Sequence, residues 1–194
     1  MPARVGTAGR EIAAVVLAAG SSSRYGSPKQ LASYRGAPLI THAVRRAARS
    51  TVEQVVVVLG AHHQEVEQVL PLPPRLRVVV NLKHAQGLST SLGRGLAALS
   101  QEVAGAVILL GDVPEVEVED IDRVAASLRR GAVVARIRYR NGPGHPVGFS
   151  RPIWPRLASI DGDVGARSLL RGLPAEEIVT DRPRPRDIDW PRDL

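Results

Sequence analysis

The sequence predicts an α/β fold, a three-layer α/β/α sandwich around a mostly parallel sheet. Short apolar, β-branched runs at 12–19, 55–59, 76–80 and 106–110 read as strands buried on both faces. The segments between them carry apolar residues at helical spacing, so strand and helix alternate as βα units do. Polar loops at 20–29 and 111–114 follow two of the runs, and in such sheets ligands lie beyond the carboxyl ends of the strands.

Each element has its own reason. Residues 12–19 form an uninterrupted apolar run behind Arg4 and Arg10. That resembles the core of a signal peptide, but acidic Glu11 abuts it and a Gly/Ser loop follows, so it is assigned as a first strand. It is too short to span a bilayer. Residues 39–50 are assigned as a helix with Pro38 in its first turn, where no amide partner is needed. Strand 55–59 closes at Gly60. Helix 62–70 stops at the cluster Pro71, Pro73, Pro74. Strand 76–80 follows. In 89–99, Leu92, Leu96 and Leu99 fall on one helical face. Strand 106–110 ends at Gly111-Asp112, and helix 118–128 turns Ile121, Val124, Ala125 and Leu128 inward. Strand 132–137 leads to a turn at 141–144 and a returning strand at 145–149. Short helices are expected near 153–157, interrupted by Pro155, and at 164–170. A late strand is expected at 177–180, before a tail rich in Arg and Pro.

The 194 residues are read as a single domain, 1–194, with 1–10 as a flexible extension. No cysteine is present, which excludes a disulfide scaffold, a thiolate metal site and a cysteine nucleophile. The net charge is +7, and only Lys29 and Lys83 among the 26 basic residues are lysine. The arginines are scattered without a long run, and aromatics make up 3%. A solvated arginine-rich surface is therefore preferred to a nucleic-acid binder. No segment has 18 uninterrupted apolar residues, so no membrane partner is expected and a cytoplasmic protein is.

The first loop, from Leu17-Ala18-Ala19-Gly20 through Arg24 to Lys29, brings small residues and two cations to a strand end. Backbone amides can approach a phosphate closely there, and fixed positive charge completes a cradle. It is neither a Walker A loop nor a G-x-G-x-x-G fingerprint. Asp112, directly after a buried strand, is either a turn residue or a ligand for a hard cation such as Mg²⁺. Asp189, near the end in Asp187-Ile188-Asp189-Trp190-Pro191, is either a second metal carboxylate or a helix cap before Pro191. His145, between Gly144 and Pro146, is a general base or a hydrogen-bonded pocket wall, and the wall is preferred. His42, His62, His63 and His84 are taken as surface or packing residues, and Trp154 and Trp190 as packing anchors.

Taken together, these pieces resemble a known family. The pattern from Leu17-Ala-Ala-Gly through Arg24 to Lys29 is similar to the signature of nucleotidyltransferases with the sugar-nucleotide-transferase fold, which is Rossmann-like. The order of 87–92, Gly111-Asp112-x-Pro114, Gly144-His145-Pro146, Asp161-Gly162-Asp163-x-Gly165-Ala166-Arg167 and Asp187-x-Asp189 resembles molybdenum cofactor cytidylyltransferases. That resemblance implies a Mg²⁺-dependent transfer of CMP from CTP to the phosphate of a molybdopterin-type acceptor, with pyrophosphate leaving. It implies that Arg24 and Lys29 hold the triphosphate and that Asp112 and Asp189 bind the metal. Leu17, Ala18, Ala19, Gly20, Asn81 and Ser89 would line the nucleotide pocket, and His145, Asp163, Gly165 and Arg167 would face the acceptor. Ala19 stands where guanylyl-transferring relatives typically resemble Leu-Ala-Gly-Gly, which points to CTP over GTP. A transient contact with a molybdoenzyme or its chaperone is the implied protein partner. The rival readings are the same fold with GTP or another phosphorylated acceptor, and a non-catalytic nucleotide- or cofactor-binding protein.

Overall fold

In the computed structural model, which describes residues 10–23, 25–71, 73–158 and 173–194, β1 (Glu11–Ala18) is an inner strand of the sheet. It pairs in parallel with β4 (Gln54–Leu59) on one side and β6 (Val103–Leu110) on the other. Helical layers cover both faces, so seven of its eight residues are buried. The absence of polar alternation in the run follows from that. Ile12, Ala14 and Val16 face one core, and Ala13, Val15 and Leu17 face the other, by the two-residue period of a strand.

β5 (Leu76–Val80) extends the sheet beyond β4. On the far side, β8 (Gly142–Ser150) inserts antiparallel between β6 and β7 (Val134–Tyr139), and β9 (Ala175–Val179) forms the edge, parallel to β7. The order is β5-β4-β1-β6-β8-β7-β9. The mostly parallel α/β sandwich expected from the sequence is the architecture found.

Helices α1 (Leu39–Arg49) and α4 (Val118–Arg129) cover the first face, together with Val66 of α2 (His63–Gln68). Helices α3 (Leu88–Ala97) and α5 (Trp154–Ala158) cover the second. No described helix is long and apolar enough to cross a membrane.

Several boundaries differ from expectation for local reasons. A two-strand hairpin, β2 (Ser33–Tyr34) with β3 (Ala37–Pro38), was not foreseen. Its two-residue turn places Arg35 and Gly36 at φ 47° and 78°, the hand that suits a tight hairpin. Pro38 therefore belongs to that hairpin and stands at the position just before α1 instead of in its first turn. The turn expected at 141–144 is also shorter. Gly142, at φ 117°, lets the chain reverse by Asn141, so β8 already includes Pro143 and Gly144. Pro155 does not interrupt a helix, because it falls in the first turn of α5, where its missing amide is tolerated. Trp154 is the buried anchor expected, with its indole donating to the Phe149 carbonyl at 3.2 Å. Trp190 is not: it is 42% exposed, with Arg192 stacked on its ring at 5.3 Å. The helix expected at 164–170, and residues 1–9 of the extension expected at 1–10, lie outside the described residues.

Candidate active site

The loop after β1 is held from beneath by a residue the sequence reading passed over. Gln30 is 4% exposed. Its Nε2 donates to the carbonyls of Ala18 (3.1 Å) and Gly20 (2.9 Å), and its Oε1 accepts from Ser22 Oγ at 3.1 Å. Ser22 Oγ in turn accepts from the Lys29 amide at 3.1 Å. Those bonds fold the loop back onto the 3₁₀ turn Lys29–Leu31, and the Lys29 side chain then crosses to the end of β6.

Lys29 Nζ lies 2.6 Å from Asp112 Oδ2 and 3.2 Å from Asp189 Oδ1, and donates to the Ile188 carbonyl at 3.1 Å. These residues are 83 and 160 positions away in sequence. The Ile188 amide donates to the Asp112 carbonyl at 2.9 Å, which joins the late segment to the end of β6. Burial alone would lower the Lys29 pKa. Asp112 and then Asp189 outweigh it and hold the ammonium above its ordinary value. Asp187 is pushed above the usual aspartate range, first by burial and then by the neighbouring Asp112 charge.

A cleft of about 520 Å³ opens beside this cluster. Its walls are Leu17, Ala18, Ala19, Gly20 and the serines of the loop, Lys29 and Gln30, then His84, Gly87, Leu88 and Ser91, and finally Gly111, Asp112 and Asp189. A smaller cavity of about 250 Å³ lies at the opposite end of the sheet. Its arginines are committed to backbone carbonyls, Arg75 to Val52 and Ser50 and Arg77 to Ala98, so it offers no free cation.

Seven of the residues picked out from the sequence thus meet at one place: Leu17, Ala18, Ala19, Gly20, Lys29, Asp112 and Asp189. Asn81 and Ser89 are not among the described residues lining the cleft. Asn81 is a buried tie, its Nδ2 donating to Thr90 Oγ1 (2.9 Å) and Ser91 Oγ (3.0 Å) and its Oδ1 accepting from the Lys83 amide (3.0 Å). Ser89 is buried on α3. His145 is half-buried in β8, just before its buried part, with its ring Nδ1 3.4 Å from the Ile108 carbonyl. Arg24, Asp163, Gly165 and Arg167 lie outside the described residues.

Asp189 is not the helix cap that its place before Pro191 suggests. Asp193 Oδ2 accepts from the amides of Asp189 (3.0 Å) and Trp190 (2.8 Å) and takes that role, leaving the Asp189 carboxylate to Lys29. His84, taken as a surface or packing residue, packs against Gly60, where a Cβ would come within 2.7 Å of its own Cβ, and also forms a wall of the cleft. Gln30 and Asp187 join it as residues missed. Asp187 had a visible signal, a third carboxylate in the motif that contains Asp189; Gln30 and His84 had none.

The chain is similar to known proteins in both sequence and fold. The family model for the MobA-like NTP transferase domain matches residues 14–178. Nicotine blue oxidoreductase of Paenarthrobacter nicotinovorans is 34% identical over 84% of the chain and 83% of its own length. Purine catabolism protein PucB of Bacillus subtilis is 30% identical over 92% of each. Among solved structures, Rv0371c of Mycobacterium tuberculosis superposes with a TM-score of 0.87 at 32% identity, covering 95% of this chain and 96% of that one. A structure of Rv0371c in complex with manganese superposes at 0.80 and 29% identity over 93% of each. The family match covers most of the chain and the fold is shared: the chain belongs to the MobA-like NTP transferase domain family and is a nucleotidyltransferase of that type.

Proposed function

We propose that the protein transfers CMP from CTP to the phosphate of molybdopterin-bound molybdenum cofactor, with a divalent cation, Mg²⁺, as its metal. The observation that carries this reading is Lys29 lodged between Asp112 and Asp189 at the mouth of the cleft. Two carboxylates converging on one cationic atom are an all-oxygen donor set of the kind a hard cation takes. Among the described residues no group of three His, Asp or Glu side chains could hold a metal alone. A cation here would complete its shell with substrate oxygens and water, as Mg²⁺ commonly does.

In this reading, the loop from Ala18 to Ser23 offers its backbone to the triphosphate. Lys29, freed from its carboxylates, neutralises charge gathering around the α-phosphate. Asp112 and Asp189 hold the metal, which when bound supplies Lewis-acid neutralisation of the phosphate oxygens. An oxygen of the acceptor phosphate attacks the α-phosphorus. The new bond is P–O, the bond broken is the α–β bridge, and pyrophosphate leaves with the electron pair. The acceptor phosphate is already anionic, so His145 acts as a wall of the acceptor side and not as a base. Ala19 supports CTP over GTP, since a methyl group near the base narrows the pocket by a difference worth about 1–3 kcal/mol.

Pyrophosphate release is measured with CTP and with GTP, each with and without molybdenum cofactor. The expected result is cofactor-dependent release, tenfold or more faster with CTP. A tenfold preference for GTP overturns the base assignment. Release with neither overturns the molybdopterin acceptor, and binding of nucleotide without release under any condition identifies a non-catalytic binder.

A further inference from the structure

The segment Arg182-Pro183-Arg184-Pro185-Arg186 has no part in the chemistry above, although it crosses the site. It leaves the edge strand β9, passes the ends of β7 and β8, and arrives at Asp112 beyond β6. Three bonds pin it. The Arg140 amide donates to the Arg182 carbonyl at 3.1 Å, the Arg184 amide donates to Asn141 Oδ1 at 2.8 Å, and the Ile188 amide donates to the Asp112 carbonyl at 2.9 Å. Pro183 and Pro185 fix φ between those points, so the strap is ordered before any ligand arrives.

Two of its arginines have different fates. The Arg182 guanidinium lies 2.5 Å from Oδ1 of Asp120, a fully buried carboxylate whose Oδ2 is 3.0 Å from the Tyr139 hydroxyl. That hydroxyl is 2.7 Å from the His145 carbonyl. Arg182 is therefore used to fasten the strap to α4, β7 and β8. Arg184 is exposed; its guanidinium makes no hydrogen bond and no ion pair among the described residues, and its positive charge acts on the Asp187 carboxyl, opposing the upward push of burial there. Its stem lies across Gly144, where a Cβ would come within 2.7 Å of Cδ and 2.8 Å of Cγ. The missing side chain at 144 is what seats Arg184 next to His145.

The carboxyl end of the sheet is thus divided. The β1 loop, Lys29 and the start of α3 form the cleft, while β8 and the strap stand on the other side of Asp112. A planar guanidinium that no described carboxylate holds in an ion pair matches a phosphate through paired N–H···O bonds. We propose that Arg184 is the anion-binding residue of the acceptor half-site and recognises the phosphate-monoester dianion of the acceptor. This rests on the transferase reading above, and its test is arranged to fail separately.

The full chain is saturated with Mg²⁺ and α,β-methylene-CTP, which fills the triphosphate cradle without turning over. Phenyl phosphate is then titrated, with the Arg184 Nε–Hε and Gly144 amide signals followed by ¹H–¹⁵N NMR. Both signals should shift together. Arg184→Ala should weaken the apparent affinity by about 10- to 100-fold, the loss expected for a charge-assisted bond. Arg184→Lys should restore part of it, and Gly144→Ala should weaken it by displacing the Arg184 stem. Arg130→Ala, which removes the same charge beside Glu176 near the start of β9, should leave it unchanged. With molybdenum cofactor as acceptor, Arg184→Ala should raise the acceptor KM by a similar factor and leave the KM for CTP within twofold. Equal weakening by Arg184→Ala and Arg130→Ala, or phosphate binding that leaves the Arg184 signal unmoved, overturns the proposal. If no nucleotide supports pyrophosphate release, the transferase reading fails, and the phosphate titration by itself decides for or against Arg184.

Discussion

Lys29 is one of two lysines in a chain that otherwise uses arginine for positive charge. A compact ammonium can sit between two carboxylates and then move to a phosphate, where a guanidinium fork would be held by its geometry. The consequence is testable at single residues. Lys29→Ala and Asp112→Asn are each expected to lower kcat by about 100- to 1,000-fold, the cost of one preorganised charge contact at a reacting centre. Their effects on metal binding should differ in sign. Lys29→Ala removes the competing cation and should tighten Mn²⁺ binding in the absence of nucleotide, whereas Asp112→Asn should weaken it. Calorimetric titration with Mn²⁺ checks both, and near-normal turnover of either variant with Mg²⁺ rejects the role assigned to it.

Local elements carry the second set of consequences. The end of the chain places four acids at 187, 189 and 193 and at Asp112 across from them, yet only one of them caps. Asp193→Ala should lower Tm slightly while leaving turnover intact. Asp189→Asn should leave Tm nearly unchanged and reduce turnover, because its carboxylate faces Lys29 and not the helix. Thermal melts alongside pyrophosphate assays separate the two roles. Helix α3 offers a comparable contrast. At Gly95 a Cβ would come within 2.5 Å of Val15 and 2.9 Å of Val58, whereas at Gly93 nothing lies within 4 Å. Gly93→Ala should stabilise by about 0.5–1 kcal/mol through helix propensity. Gly95→Ala should destabilise, since overpacking costs about 1–3 kcal/mol and outweighs the same propensity gain. Urea denaturation of the two variants reads the sign directly.

For the whole molecule, several of the arginines among the described residues tie distant elements together. Arg46 meets Glu117, Arg129 meets Glu53, and Arg136 and Arg138 share Glu177 across the β7–β9 edge. The hydrogen bond from Arg136, and then the charges of Arg136 and Arg138, hold the Glu177 carboxyl below its usual value. A depressed carboxyl contributes stability that is present above the ordinary glutamate range and is lost as pH falls through the lowered folded value. Glu177→Gln should therefore lower Tm at pH 7. The gap from the parent chain should close as pH is taken below roughly 4. A gap that persists unchanged at low pH would mean that the edge is held by backbone pairing alone.

The strands and helices were legible in the sequence because each is a local solution to burial. The run at 12–19 must be apolar at every position when helices cover both faces of the sheet, and Leu92 and Leu96 must recur at helical spacing when one face of α3 meets it. The loop from Leu17 to Lys29 and Asp112 also stood out as candidates, since small residues, cations and a carboxylate at strand ends have few structural uses, while Asp189 stood between a metal ligand and a helix cap. What no local pattern contained was the partnership of those groups. Lys29 meets Asp189 across 160 positions, Asp193 takes the cap that Asp189 seemed to supply, and His84 becomes a cleft wall. Gln30 reads as an ordinary polar residue until its amide is seen bridging two loop carbonyls. Arg184 is one arginine among 24 until Gly144 gives it a seat. Periodicity and propensity act over a few residues and determine the elements. The order of strands across the sheet determines which ends become neighbours, and there side chains far apart in the chain find the charges they answer.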